Sequence, residues 1–367
     1  MFIRNSWYVA GWNTELADDA LLGRTILGED LLFWKDAQGH PVALANRCCH
    51  RGAPLSLGRR EGDCVRCMYH GLKFDTKGVC VEIPGQDRIP PQARVRSYPV
   101  VEKNRWIWVW MGDPAKARAE DIPDTPWLTD SRWRGKEAYL HYKTNYLLIC
   151  DNLLDFSHLP YVHAKTLGGS EDYAKIRPVV ERLDRGVRVT RWVRDIDPPP
   201  FILKVKNWGK RVDRWNIYDF IVPGLLLMDS GMAPAGTGAP EGKRVDAAEF
   251  RSCQVLTPET ENSTHYFFSH MHGFALDRAE VTDQIHQSIL DAFEEDRRMI
   301  TAQQSTLASG PHFKMMPLPM DNALTHFRQV IERLARDERD AQRYGAGEQP
   351  VSPLTRTSTA PELPRHF

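Results

Sequence analysis

No stretch of this sequence approaches the ~20 uninterrupted apolar residues that a membrane-spanning helix requires, so nothing in it reads as crossing a bilayer. It also lacks an excess of charge of either sign. Its 48 Lys and Arg balance 48 Asp and Glu, which leaves no basic field for phosphates and no reason to expect DNA or RNA as a partner. The opening MFIRNSWYVAGW has neither a continuous apolar run nor a small-residue cleavage site, so it does not read as a secretory signal, and the cytoplasm is the expected compartment. No G-x-G-x-x-G opens a helical pattern, so a flavin or nicotinamide fingerprint is missing as well. Cysteine is sparse and odd in number, seven in 367 residues, which makes a disulfide framework the weaker reading in a chain without an export signal.

What is present is a chain long enough for two domains, with 42% apolar and 26% charged residues, ordinary for a globular protein. Over residues 1–118, short β-like runs such as RTILGEDLLFW, PVALANR and RWIWVWM alternate with Gly, Pro and Asp turns and predict a small β-rich domain. The composition shifts to Pro, Asp and Ala at GDPAKARAEDIPDTPW, the expected linker. A second domain over 119–344 is expected to be α+β. It offers a helix near 150–160, strand-like runs GVRVTRWV, NIYDFIVPGLLLM and STHYFFSHMH, and helical patterns over about 278–307 and 320–343. Between them APAGTGAPEGKR has the composition of a mobile surface loop, and 345–367, rich in Pro, Ser and Thr, that of a flexible tail.

Four of the seven cysteines fall between positions 48 and 67, interleaved with His50 and His70. Cys48-x-His50 and Cys67-x-x-His70 are two Cys/His pairs, each on its own loop. A Rieske [2Fe–2S] centre demands this supply, two thiolates for one iron and two imidazoles for the other. Gly52, Pro54, Gly58 and Gly71 suit loops that fold tightly around an inorganic core. The competing reading is zinc, for which Cys64-x-x-Cys67 and His70 could serve, although zinc knuckles usually pair like with like. Cys49 and Cys64 are spare in the Rieske reading and are expected to be packed thiols.

RCCHRGAPLS followed by CMYHGLKFD resembles the Rieske domain of ring-hydroxylating and demethylating oxygenases. The resemblance implies Cys48 and Cys67 on one iron, His50 and His70 on the other, and Pro84-Gly85 in a loop over the cluster. It also places Cys49 at a variable position, where it would raise oxidative sensitivity without altering ligation.

The remaining residues carry Asn152-x-x-Asp155-x-x-His158-x4-His163. Two histidines five apart on a straight helix diverge by about 140° and cannot share a metal, so Pro160 between them is read as the kink that brings them together. Non-haem Fe(II) that activates O₂ is typically held by two His and one carboxylate. In the 278–307 pattern Ile285, Ile289, Ala292, Phe293 and Ile300 form one apolar stripe with Asp296 near its centre, while Glu294 and Glu295 point elsewhere. A carboxylate there is costly to bury unless it is paired or metal-bound, so Asp296 is the candidate third ligand; a buried ion pair to Arg is the bland alternative.

This constellation is similar to the catalytic domain of the same oxygenases, most of all the group of vanillate demethylase, dicamba demethylase and toluenesulfonate methyl-monooxygenase. By that resemblance the second domain is helix-grip-like, with an antiparallel sheet and helices, and His158, His163 and Asp296 hold mononuclear Fe(II). Asn152 lies close to the iron, Asp155 links the two metal centres, and the chains form head-to-tail homotrimers. Electrons come from a separate flavin and iron–sulfur reductase, with or without a ferredoxin. The expected reaction is O₂-dependent hydroxylation of a methyl or alkyl group on an aromatic substrate, ending in O- or N-dealkylation. Hydroxylation of a ring-bound methyl group, or of the ring itself, is the alternative. His265, His270 and His272 are read as strand or pocket residues rather than ligands.

Overall fold

Period-two alternation along seven strands organises the molecule. In the computed structural model, which describes residues 2–17, 19–168, 170–310 and 313–345, they form one antiparallel sheet. Its spatial order is 137–142, 263–272, 248–260, 225–234, 212–221, 186–196 and 179–183. Successive strand residues face opposite sides of a sheet. Here the even-numbered Phe220, Met228, Phe250, Tyr266 and Phe268 share a core with residues of the helices Tyr146–Leu154, Ala279–Ser309 and Asn322–Gly345. The odd-numbered Leu225, Cys253, Val255, Phe267 and Met271 pack on the other face against Trp7, Trp106, Trp108 and Trp110.

Those tryptophans belong to the N-terminal part, built from three small antiparallel sheets of three, three and four strands. Strands Trp7–Trp12 and Trp106–Trp110 pair directly, with Trp12 stacked on Trp106. Polar contacts fasten this part to the large sheet as well. Thr257 Oγ1 donates to the Val9 carbonyl at 2.7 Å, and the N–H groups of Leu27 and Gly28 donate to the carbonyls of Pro258 and Glu259. Among the described residues, no helix is long and apolar enough to cross a membrane.

Several expectations need correcting. NIYDFIVPGLLLM is not one strand but most of a hairpin, Val212–Ile221 and Leu225–Pro234, turning at Val222-Pro223-Gly224, where proline offers no ladder N–H. The helix expected near 150–160 instead spans Tyr146–Leu154, started by Asn145, whose side chain accepts the Leu147 N–H at 2.9 Å. It stops because Asp155 is extended (φ −127°, ψ 98°), and short helical turns Phe156–His158 and Leu159–Val162 follow. APAGTGAPEGKR is less free than its composition suggests, since Ala233 and Ala239 are buried with Trp215. The expected boundary at 118/119 falls among short helical turns between Trp110 and Glu137, and the expected tail lies, from residue 346, outside the described residues.

Candidate metal centres

The first centre is built by two loops of the same design. In one, Gly52 N–H donates to the Cys48 carbonyl at 2.9 Å and Cys48 N–H to Ala53 at 2.8 Å; in the other, Gly71 donates to Cys67 at 2.9 Å and Cys67 to Leu72 at 2.8 Å. Both glycines have positive φ, 74° and 79°, which closes the turn without a Cβ penalty. A Cβ on Gly71 would also collide with Pro84, which lies against the second loop. Cys48 and Cys67 are buried, whereas His50 and His70 are exposed with ring centroids 4.5 Å apart.

Like therefore meets like across the two loops. Burial pushes the Cys48 thiol up to about 11, opposed by a His50 backbone hydrogen bond and reinforced by the adjoining Cys67 thiol. The free Cys48 thiol therefore stays protonated; a coordinating metal would strip its proton. The zinc reading fits poorly. Among the described residues, only His158, His163 and Asp296 bring three His, Cys or acidic ligand atoms within 4.8 Å of one another, so the Cys/His set does not converge as a single ion would require. Thiols paired on one side and imidazoles on the other suit a two-iron cluster. Of the spare thiols, Cys49 is exposed and Cys64 half-buried, so neither is the packed core thiol expected.

At the second centre His158 Nε2 and His163 Nε2 lie 3.5 and 3.2 Å from Asp296 Oδ1. The spacing works for a different reason from the one expected. The chain breaks at Asp155, ahead of His158, and Pro160 occupies the first turn of a new helical segment, where its missing N–H costs nothing. Each histidine is then held by its other nitrogen. His158 Nδ1 donates to the backbone carbonyl of Asp155 at 2.6 Å, and His163 Nδ1 to Glu295 Oε2 at 2.7 Å, which leaves both Nε2 lone pairs free for a metal.

Asp155 therefore orients His158 through its carbonyl rather than its carboxylate. The carboxylate accepts the Ser157 N–H at 2.9 Å and lies 3.9 Å from Arg191. Glu295 does not point away from the site, as its helical position suggested; it accepts from both His163 and Thr166 Oγ1 at 2.7 Å. Glu294 does point away, pairing with Arg297. Asn152 Nδ2 donates to Asp296 Oδ1 at 2.9 Å. Burial lowers the His158 pKa, whereas at His163 the same burial is outweighed by Asp296 and Glu295, so its pKa is raised.

The site opens into a cavity between the long helix and the sheet, lined by Leu159, Phe201, Met232, Phe250, Ile289 and Phe293 with a few polar groups. Of the strand histidines, His270 lines it, while His265 bonds Tyr139 and Thr25 and His272 bonds Phe274 and Thr282. Two His and one carboxylate beside an apolar chamber can hold Fe(II) with positions left over for small molecules.

Comparison with known proteins agrees with this division. Residues 6–99 match the Rieske [2Fe-2S] domain family, and 142–337 match the vanillate O-demethylase oxygenase C-terminal domain family. The chain is 50% identical to the iron–sulfur subunit of a toluene-4-sulfonate monooxygenase system of Comamonas testosteroni, over 92% of this chain and 98% of that one. It is 34% identical to a vanillate O-demethylase oxygenase subunit of a Pseudomonas species, over 93% and 97%. A crystal structure of dicamba monooxygenase bound to dicamba superposes with a TM-score of 0.84 at 32% identity, covering 92% of this chain and 99% of that one. Another structure of that enzyme contains non-heme iron together with dicamba.

Proposed function

Because the chain belongs to the Rieske non-haem iron oxygenases, as the oxygenase component of a monooxygenase with a [2Fe–2S] cluster and a mononuclear iron, we propose that it hydroxylates a methyl or alkyl carbon borne by a small aromatic substrate. One C–H bond becomes C–OH, while the second oxygen atom of O₂ leaves as water with two electrons and two protons. Where that carbon sits on O or N, the hemiacetal or hemiaminal collapses to an aldehyde and the dealkylated product. The 50% identity to a toluene-4-sulfonate monooxygenase subunit favours a second form, in which a ring-bound methyl group stops at the alcohol.

The observation that carries this reading is the His158/His163/Asp296 group facing a largely apolar, aromatic-lined chamber. In it, Cys48, Cys67, His50 and His70 hold the cluster, and His158, His163 and Asp296 hold the iron, which when bound supplies the site of O₂ activation. Glu295 and the Asp155 carbonyl keep both imidazoles in the tautomer that presents Nε2. Asn152 fixes the Asp296 carboxylate, and the apolar walls exclude bulk water and orient the ring. The division at 118/119 completes the proposed layout.

Electrons come from a separate reductase, with or without a ferredoxin, in the cytoplasm. The exposed His50 and His70, beside exposed Met68 and Tyr69, form the surface a partner would meet. In a head-to-tail homotrimer that partner includes the next subunit, whose Asp155 would bridge His158 to the incoming His70. Product analysis with methoxylated, N-alkylated and methylated aromatics, using reductase-supplied holoenzyme, tests the reaction; no O₂-dependent product from any of them would overturn it.

A further inference from the structure

Strand Val212–Ile221 places one full positive charge against the chamber. Arg214 lines the cavity and is 5% exposed, and no carboxylate among the described residues pairs with it. Its Nη1 donates to the Gly168 carbonyl at 3.0 Å, and its guanidinium lies over Tyr173, 4.8 Å from the ring centroid. Beside it, Arg191 Nη1 is buried with no hydrogen-bond partner among the described residues. Arg191 lies 4.8 Å from the same Tyr173 ring, with the Asp155 carboxylate 3.9 Å from its own Nη2. Two buried cations thus stand over one ring, and Arg214 makes no ion pair among the described residues. A buried charge without a counter-ion is costly, and arginine cannot escape by losing its proton.

Strand register gathers further polar groups on the same wall. Asn216 follows Arg214 by two residues and faces the same side; Ser230 is its partner on the next strand, and both line the cavity. His270 also lines it, with a buried Nε2 that has no hydrogen-bond partner. Apolar residues such as Phe250 and Met232 make up the surroundings. A ligand that satisfies such a chamber has an apolar ring and an anionic head.

We propose that Arg214 is a specificity-determining residue that pairs with an oxyanion substituent, sulfonate or carboxylate, on the aromatic substrate. The proposal deepens the oxygenase reading by fixing the class of ring that enters. Arg214 also tethers Gly168, whose N–H donates to the His163 carbonyl, so a purely structural role in holding the metal-bearing segment is the rival.

The experiment is calorimetric binding of 4-methylbenzenesulfonate, 4-methylbenzoate and neutral 4-methylbenzenesulfonamide to the oxidised holoprotein, with iron measured in every sample. Wild type should bind the better of the two anions at least about thirtyfold more tightly than the sulfonamide, the scale of a buried charge pair. The sulfonate and carboxylate arms decide which head group is the natural one. Arg214→Gln should keep its iron and its sulfonamide affinity but lose the anion preference, and Arg214→Lys should retain a reduced preference. Equal affinity for all three compounds in wild type overturns the proposal. So does an Arg214→Gln protein that weakens all three alike or sheds iron, since that is the behaviour of a tether. If Arg214→Gln does not fold, the wild-type ratio and Arg214→Lys decide. Anion preference without O₂-dependent product would instead sink the oxygenase reading and leave the anion site standing.

Discussion

The two metal centres are assembled in opposite ways. The first, as proposed, would draw all four donors from residues 48–70, on two loops that repeat one hydrogen-bond pattern and leave the imidazoles in solvent. The second takes its donors from positions 158, 163 and 296, buries two of them to 1% and 5% exposure, and depends on neighbours from three segments. A local site can form as soon as its own loops close, whereas a distributed one exists only when the whole second domain has packed. Damage to the domain core should therefore empty the second centre and spare the first.

The most drastic test of that contrast is His158→Ala or His163→Ala. Either should abolish the mononuclear iron and all turnover while leaving the brown colour and about two irons per chain; Cys67→Ala should do the reverse and bleach the protein. Bleaching in His158→Ala would show that the ligands are wrongly divided between the centres.

Asp155→Asn asks whether the centres communicate. It preserves the carbonyl that holds His158, so iron content should remain close to wild type, yet turnover should fall on the order of 10²-fold, the scale of a misplaced catalytic group. Stopped-flow reoxidation of the pre-reduced cluster, with O₂ and substrate present, measures it; wild-type kinetics would leave Asp155 as a local cap only. Glu295→Gln should act more gently. With His163 less firmly held, iron affinity should drop by about 10- to 100-fold without change in the visible spectrum, as read by chelator competition.

The smallest effect concerns the seam between the regions. His265 bonds Tyr139 and the Thr25 carbonyl, and burial, aided by nearby Arg24, lowers its pKa to about 4. The unfolded chain takes up a proton near pH 6.5 that the folded one refuses, so this stability is present above pH 6.5 and lost as pH falls toward 4, by at most about 1.4 kcal/mol per pH unit. Chemical denaturation of His265→Gln across that range should give a flatter profile than wild type. An unchanged slope would assign the acid sensitivity elsewhere, first to His270, lowered to about 3 by burial.

The same contrast explains what could be read from the sequence. Both candidate cluster loops were legible because every proposed donor and both positive-φ glycines fall within 25 residues. Asp296 was legible from the periodicity of its own helix, and the two histidines from their motif. The cause of their convergence was not, because proline is a visible breaker while Asp155 breaks the helix by capping Ser157, which no pattern announces. Glu295 was hidden for a related reason: its role depends on where the 159–162 turn docks, not on its place on the wheel. Arg214 sits in an alternating run that reads as an ordinary strand, and its lack of a counter-ion is visible only in three dimensions.

One consequence of the two-faced sheet bears on how such proteins diversify. Mostly even-numbered positions on its central strands shape the chamber, and odd-numbered ones such as Leu225, Val255 and Phe267 seat the tryptophans of the N-terminal part. Point changes such as those at Ser230, Met232 or Phe250 can therefore retune which molecule is accepted while the footing of the electron-delivering part stays untouched. A single-residue insertion in the same strands has no such freedom, because it exchanges the two faces at once. Descendants of this chain should thus acquire new diets by substitution within these strands and tolerate length changes only at the hairpin ends.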